Sequence, residues 1–248
     1  MAEYRERCYK SFVSTHWVYT HSLSKDEYEL LVKIYRERFK NILPRDKSAQ
    51  IVDIACGAGH FLYFLQKEGY VNTLGIDMSD EQLAIAKKAG VVNIEKGDLF
   101  DFLKRNPGKF DVIIANDIIE HLYKDEVLDF LDTIYASLKP NRLVIIATLN
   151  AASLFGSNFI YIDFTHEVGF TPESLMQVMR LCNFMNVNVY GETPIIHDIR
   201  SFIRAVLWSI VKGIIKIYTV IERGTGRELW KNENIFEPRI FAVGKKKA

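Results

Sequence analysis

Acidic residues and glycines lie together at the ends of two apolar runs of the chain. Asp53 stands near the end of a β-branched run that leads into Gly57 and Gly59 and then into a helical pattern, and a second run ends in Asp77. Glycine has no Cβ and lets a ligand approach the backbone closely, and the N–H groups of a first helical turn point at the same place. An acid ending the second strand can accept bonds from ribose hydroxyls. The spacing therefore predicts a nucleoside-binding site.

The same stretch does not match a dinucleotide site. Such a site requires G-x-G-x-x-G, and Leu62 stands where the third glycine would be. Asp53 just before the turn would repel a pyrophosphate, whereas a ligand with a sulfonium or ammonium group would tolerate it.

A second set of chemical groups follows the fourth predicted strand. Asp117, Glu120 and His121 are spaced i, i+3 and i+4, and they share one face if this segment forms a helical turn. A long loop further on supplies His166. Two carboxylates and two imidazoles suit Mg²⁺, Mn²⁺ or a similar ion. Alternatively His121 or His166 acts as a general base without metal, with His16 as a third candidate.

The first set of residues resembles the opening motif of class I S-adenosylmethionine-dependent methyltransferases, an acid followed by G-x-G and a second strand ending in an acid. Ala55 stands where that family usually has glycine, and we expect only a minor backbone adjustment. The resemblance implies S-adenosylmethionine as cofactor, with Asp98 holding the adenine amino group and Leu99 packing on the ring. The cofactor-binding residues predicted in this way are Asp53, Ala55, Gly57, Gly59, Asp77, Met78, Asp98, Leu99 and Asn116.

The second set of residues suggests the acceptor. Glu120-His121-Leu122 is similar to an element of ubiquinone-biosynthesis O-methyltransferases and of small-RNA 2′-O-methyltransferases, and the latter bind a metal that chelates a ribose diol. Nearly the whole chain, including Asp163-Phe164-Thr165-His166-Glu167, resembles methyltransferases from bacterial surface-polysaccharide gene clusters. This likeness implies an O-methyltransferase acting on a sugar hydroxyl of a nucleotide-linked sugar or a glycan. Two alternatives stay open: a quinone or lipid-phenol O-methyltransferase at the membrane surface, and a non-catalytic cofactor-binding partner.

The surrounding pattern predicts the elements that position these groups. Helical patterns alternate with strands, which predicts an α/β Rossmann-like sheet of parallel strands with helices on both faces and a ligand at the carboxyl ends of the strands. We expect residues 1–43 to form a helical cap over the cofactor cleft and residues 44–248 to form a methyltransferase domain with an insertion at 198–234. The predicted strands are 50–55, 72–77, 91–95, 110–115, 142–148, 184–190 and 239–243.

One further helical stretch, residues 198–223, combines a wide apolar face with Arg200, Arg204, Lys212 and Lys216 at multiples of four. The charges argue against a plain transmembrane span. The pattern favours an interfacial membrane helix or a dimer interface, and a helix packed on its own core is the alternative.

Composition sets broader limits. The net charge of +1 over 248 residues gives no general attraction to nucleic acid, and 48% hydrophobic residues suffice for a full core. Cys8, Cys56 and Cys182 have no C-x-x-C spacing, which indicates a reducing compartment rather than a disulfide framework. The N-terminus is charged and lacks the apolar run of a signal peptide. We expect a cytoplasmic protein, or one peripheral to the inner membrane face.

Overall fold

The computed structural model describes Tyr4, Arg7, Cys8, residues 24–224 and residues 235–248. Within this part of the chain, seven strands form one sheet in the order β3-β2-β1-β4-β5-β7-β6. The candidate base His16 lies outside the described residues. The strands are β1 (Ile51–Ile54), β2 (Thr73–Asp77), β3 (Ile94–Lys96), β4 (Phe110–Asn116), β5 (Leu138–Leu149), β6 (Met185–Gly191) and β7 (Arg239–Lys245).

The predicted Rossmann-like sheet is confirmed, and β1 to β5 pair in parallel as the strand-helix alternation predicts, whereas β7 is antiparallel. That strand pairs antiparallel with both β5 and β6. In the register, Leu149 at the end of β5 and Gly191 at the end of β6 pair with Arg239 and Ile240 at the start of β7. The chain leaves β6 and enters β7 at the same edge of the sheet, so β7 has to run in the opposite direction.

Several helices begin at a residue whose side chain accepts a hydrogen bond from a free N–H of the first turn. Ser79 caps one helix by accepting from Gln82, and Thr171 and Asp198 cap two others in the same way. The helices within the described residues are α1 (Lys25–Phe39), α2 (His60–Lys67), α3 (Asp80–Ala89), α4 (Leu99–Lys104), α5 (Lys124–Ser137), α6 (Gly156–Ile160), α7 (Pro172–Leu181) and α8 (Ile199–Arg223).

Two apolar cores cover the two faces of the sheet. One contains Phe130 and Leu131 of α5 together with Met179 of α7. The other contains the aromatic rings of α1 and α2: Phe39 lies 5.2 Å from Phe61, measured between ring centroids. Helix α1 is thereby packed into the second core, because the Phe39 ring also lies 5.2 Å from a β7 ring.

One predicted strand boundary differs from the structure. Strand β3 begins at Ile94 rather than at residue 91, because the Val91 N–H donates to the Ala86 carbonyl (3.0 Å) and closes α3. The long loop after β5 contains both buried and exposed aromatic side chains. Phe170 is buried, but Tyr161 and Phe164 are 83% and 80% exposed.

The helix predicted over residues 198–223 is confirmed as α8, which is 25 residues long. In the described part of the chain, no helix combines the length and the apolar character that crossing a membrane requires.

Candidate cofactor and acceptor site

The turn after β1 is held by the acid that ends β2. One oxygen of Asp77 accepts from the Gly57 N–H at 2.8 Å, and the other accepts from the Ser79 N–H at 2.8 Å. Gly57 and Gly59 have φ values of 54° and 74°, the left-handed region that favours glycine. Asp77 therefore ties two neighbouring strand ends together.

Ala55 adopts the conformation that glycine would have at this position. Its φ is 55°, which lies in the left-handed region that favours glycine. This conformation costs a non-glycine residue about 1–2 kcal/mol. The turn accepts that strain at the point where the predicted ligand approaches the backbone.

Asp53 is 2% exposed, and its Oδ1 has no hydrogen-bond partner among the described residues. Burial, and then the nearby charge of Asp77, raise the pKa of Asp53 well above its ordinary value. Gln82 also has a buried unpartnered oxygen, 3.7 Å from the position that a Cβ on Gly57 would occupy. Acceptor atoms without partners beside a glycine turn fit a ligand that brings N–H groups and positive charge, as S-adenosylmethionine does.

Helix α1 lies over the glycine turn. The Tyr28 hydroxyl donates to the Ala58 carbonyl at 2.7 Å, and the Tyr28 ring lies 4.4 Å from the His60 ring. This contact places residues of the predicted N-terminal cap directly on the turn.

The other predicted cofactor residues lie at the carboxyl ends of neighbouring strands. Asp98 caps α4 by accepting from the Asp101 N–H at 3.0 Å. Leu99 follows it and is buried, whereas Met78 after β2 is exposed. Asn116 is the last residue of β4.

Asp53→Asn should make the cofactor-free protein more stable at pH 7 and weaken S-adenosylmethionine binding. Because the folded-state pKa of Asp53 is raised, the wild type loses stability as pH rises from the unfolded pKa of about 4. The variant should escape a penalty of about 1–3 kcal/mol at pH 7, and the difference should vanish toward pH 4. Urea unfolding at the two pH values measures it. A variant less stable than wild type at pH 7 would contradict the assignment of an uncompensated buried charge.

Three side chains converge on the acceptor side. Glu120 and His121 lie in a 3₁₀ turn, Ile119–His121, directly after β4, and His166 comes from the long loop after β5. Their potential ligand atoms lie within 4.8 Å of one another, and the two imidazole rings are 4.7 Å apart between centroids.

Asp117 is not part of this group, so the predicted four-residue cluster is corrected at that position. Asp117 has φ = 51° and lies outside the 3₁₀ turn, so the i, i+3, i+4 geometry does not apply to it. Its carboxylate instead forms a two-pronged ion pair with Arg239, with both N–O distances 2.8 Å.

Hydrogen bonds determine which nitrogen of each imidazole carries the proton. The Thr165 hydroxyl donates to Asp163 at 2.8 Å, so its oxygen accepts from His121 Nδ1 at 2.8 Å. Nδ1 of His166 donates to the Ile160 carbonyl, also at 2.8 Å. Nε2 is therefore the nitrogen with the lone pair in both rings. Metal-binding histidines are typically oriented by such a bond from the other ring nitrogen.

The electrostatics of the cluster match a site for a cation. Burial, followed by the charge of Asp117, raises the pKa of Glu120 to about 8. Burial, followed by the proximity of His166, lowers the pKa of His121 to about 4. Near neutral pH the cluster therefore holds a neutral His121 imidazole and a mostly protonated Glu120 carboxyl group. This donor set fits a divalent ion, which would stabilise the ionised carboxylate.

The structure adds residues that the sequence analysis did not single out. Thr148 donates to Glu120 Oε2 at 2.9 Å, and Thr165 orients His121. Arg239 comes from the start of β7, and the antiparallel direction of that strand brings it to the acceptor edge. Of these residues, only Thr165 could have been found from the sequence, because it lies in the motif Asp163-Phe164-Thr165-His166-Glu167. Tyr4 also reaches this edge, with a hydrogen bond to Glu167.

Comparison with known sequences gives a consistent result. A family profile described as a methyltransferase domain matches residues 25–189, which is more than half of the chain. A ubiquinone biosynthesis O-methyltransferase from Colwellia psychrerythraea is 34% identical over 106 residues, covering 41% of this chain and 42% of that protein. One of the same description from Rickettsia typhi is 29% identical over 147 residues, covering 52% and 57%. The chain spans about half the length of the curated relatives it matches.

Solved structures share the fold. A SAM-dependent methyltransferase from Archaeoglobus fulgidus has a TM-score of 0.62 at 23% identity, over 88% of this chain and 94% of that one. Phosphoethanolamine N-methyltransferase 2 from Haemonchus contortus, in complex with S-adenosyl-L-methionine, has a TM-score of 0.62 at 16% identity, over 97% and 60%. At these identities the likeness concerns the fold alone.

Proposed function

The chain belongs to the methyltransferase domain family, and from this membership we propose that it is an S-adenosylmethionine-dependent O-methyltransferase. The observation that carries the proposal is the buried cluster of Glu120, His121 and His166 beside the cofactor-binding edge. The relatives named as O-methyltransferases support oxygen as the acceptor atom. Family membership also favours an enzyme over a non-catalytic cofactor-binding partner.

The cofactor side acts by position and charge. S-adenosylmethionine, when bound, supplies an electrophilic methyl group. Asp77 holds the glycine turn through Gly57 and has further lone pairs for ribose hydroxyls. Asp53 offers a buried carboxylate to a cationic ligand. Fixing the ligand at the strand ends aligns it with the acceptor, and such alignment can supply a large part of the rate.

The acceptor side removes a proton. His121 carries its lone pair on Nε2 because Thr165 accepts its Nδ1–H, so that Nε2 can take the proton of an acceptor hydroxyl. In the second form of the proposal, Glu120, His121 and His166 would hold a divalent ion, Mg²⁺ or Mn²⁺, and His121 Nε2 would then be a ligand and not the base. Such an ion would lower the pKa of the hydroxyl and orient a second oxygen beside it. The base alone, without a metal, is the simpler form of the same proposal.

We favour a phenolic acceptor with an adjacent oxygen, of the kind found in quinone precursors. The named function of the curated relatives supports it. A sugar hydroxyl on a nucleotide-linked sugar or a glycan is the second candidate, favoured by the polar side chains of Asp163, Thr165 and Glu167 in the loop that carries His166. Resemblance to polysaccharide-cluster methyltransferases supports the same candidate.

A panel assay of S-adenosylhomocysteine release tests the proposal. We expect a prenylated catechol to be methylated at least tenfold faster than its singly methylated product analogue, because only the catechol has two adjacent free oxygens. A panel of nucleotide sugars runs in parallel, and turnover there alone would move the assignment to the second candidate. Turnover of amine acceptors with none of any hydroxyl compound would overturn O-methylation.

A further inference from the structure

Helix α8 turns its apolar side away from the protein. Its outward stripe recurs at intervals of three and four residues, which is one face of a helix. The eight side chains of this stripe are between 46% and 77% exposed in the described structure. They are Ile199, Ile203, Val206, Leu207, Ile210, Ile214, Ile217 and Ile221.

The side of α8 toward the protein is held by polar contacts to Glu237. Trp208 Nε1 and Lys212 Nζ both bond to Glu237 Oε1, at 3.3 and 3.0 Å. Ser201 is buried nearby, and Glu237 is only 3% exposed. A helix that packed on its own core would show the reverse arrangement, with the aliphatic stripe inside. The alternative of a helix packed on its own core therefore does not fit.

The charged side chains on both sides of the outward stripe are all positive. Arg200 and Arg204 lie on one side of the stripe and Lys216 on the other, on a helical projection of 100° per residue. These three cations are exposed and have no ion-pair partner among the described residues. The first acid of the helix is Glu222, near its end.

We propose that α8 docks on an anionic membrane surface, with its aliphatic stripe among the acyl chains and its flanking cations at the lipid headgroups. A helix of 25 residues is about 37 Å long and can lie in the plane of the interface. The positive charges beside the stripe complement an anionic membrane surface better than they complement a second copy of the chain. Two copies meeting through this stripe would bring like charges together, without opposite charges at the flanks.

The position of α8 gives the docking a consequence for the active site. Asn150, directly after β5, donates to the Glu237 carbonyl at 2.8 Å, and Glu237 anchors α8. Two residues earlier, Thr148 bonds to Glu120 of the acceptor cluster. Docking through α8 therefore sets the acceptor edge of the sheet at the bilayer, within reach of a lipid-borne acceptor. That last step rests on the proposed function, whereas the docking itself does not.

Vesicle co-sedimentation of the full chain tests the docking. We expect binding to phosphatidylglycerol-containing vesicles and at least tenfold weaker binding to pure phosphatidylcholine. Ile210→Asp with Ile214→Asp should reduce affinity at least tenfold, because charge enters the apolar stripe. Arg200→Gln with Arg204→Gln should weaken binding about fivefold for each cation removed. Val71→Asp, at an exposed apolar site on the opposite edge, is the matched control and should bind like wild type.

Three outcomes would overturn the proposal. One is wild-type binding by the stripe variant in its folded state, with folding checked by circular dichroism. Another is absence of vesicle binding by the wild type. The third is a dimer in sedimentation equilibrium that the stripe variant dissociates, which would assign the face to a second copy. Vesicle co-sedimentation does not require methyl transfer. If none of the acceptors in the panel is methylated, the result on membrane docking therefore still stands.

Discussion

Replacing His121 by alanine should lower the rate of methyl transfer by about 10²–10⁴-fold while S-adenosylmethionine binding stays within about twofold of wild type. His121 is the buried imidazole whose Nε2 lone pair is set by the bond from Nδ1 to Thr165. It lies on the acceptor side, away from the glycine turn, so that the loss should appear in turnover. Single-turnover kinetics and calorimetry with the cofactor measure the two quantities separately.

A histidine outside the cluster provides the control. His197 lies on the connection before α8 and bonds to the Ile195 carbonyl, so His197→Ala should keep wild-type turnover. Thermal unfolding excludes a general loss of structure in either variant. Full activity in His121→Ala would show that the catalytic site has been misplaced.

Chelation separates the two forms of the mechanism. If Glu120, His121 and His166 hold a divalent ion, a chelator should abolish activity, and Mg²⁺ or Mn²⁺ should restore it. Glu120→Gln should then weaken metal binding at least tenfold in a titration that needs no turnover, since one charged ligand is lost. An enzyme that uses only a base should keep its rate in chelator and still lose it in His121→Ala.

Asp77→Ala should weaken S-adenosylmethionine binding by about 1–3 kcal/mol, or roughly five- to 150-fold. The substitution removes the acceptor predicted for the ribose hydroxyls and also frees the Gly57 and Ser79 N–H groups that Asp77 now binds. Isothermal calorimetry on the folded variant measures the loss.

Asp80→Ala is the matched control, because Asp80 is three residues away, exposed and paired with Lys96. It should bind the cofactor like wild type. If Asp77→Ala binds S-adenosylmethionine with unchanged affinity, Asp77 is not part of the cofactor site. The acid at the end of the second strand would then no longer support the prediction of that site.

The sequence alone determined the sheet, its carboxyl-edge turn and α8, because these depend on local patterns. Asp53, Gly57 and Gly59 stand in a contiguous strand-turn-helix signal, and the strand periodicity required the sheet. The same holds for α8, whose periodicity and charges are visible within one segment of the chain.

Only the tertiary structure decided the composition of the acceptor cluster and the direction in which α8 faces. Spacing placed Asp117 with Glu120 and His121, but a left-handed residue and an ion pair to Arg239, 122 residues away, separate it from them. Periodicity shows that a helix has an apolar side without showing what lies against it. Contacts between distant segments, such as Glu237 with Trp208, settle that question because they depend on how the strands are ordered in space.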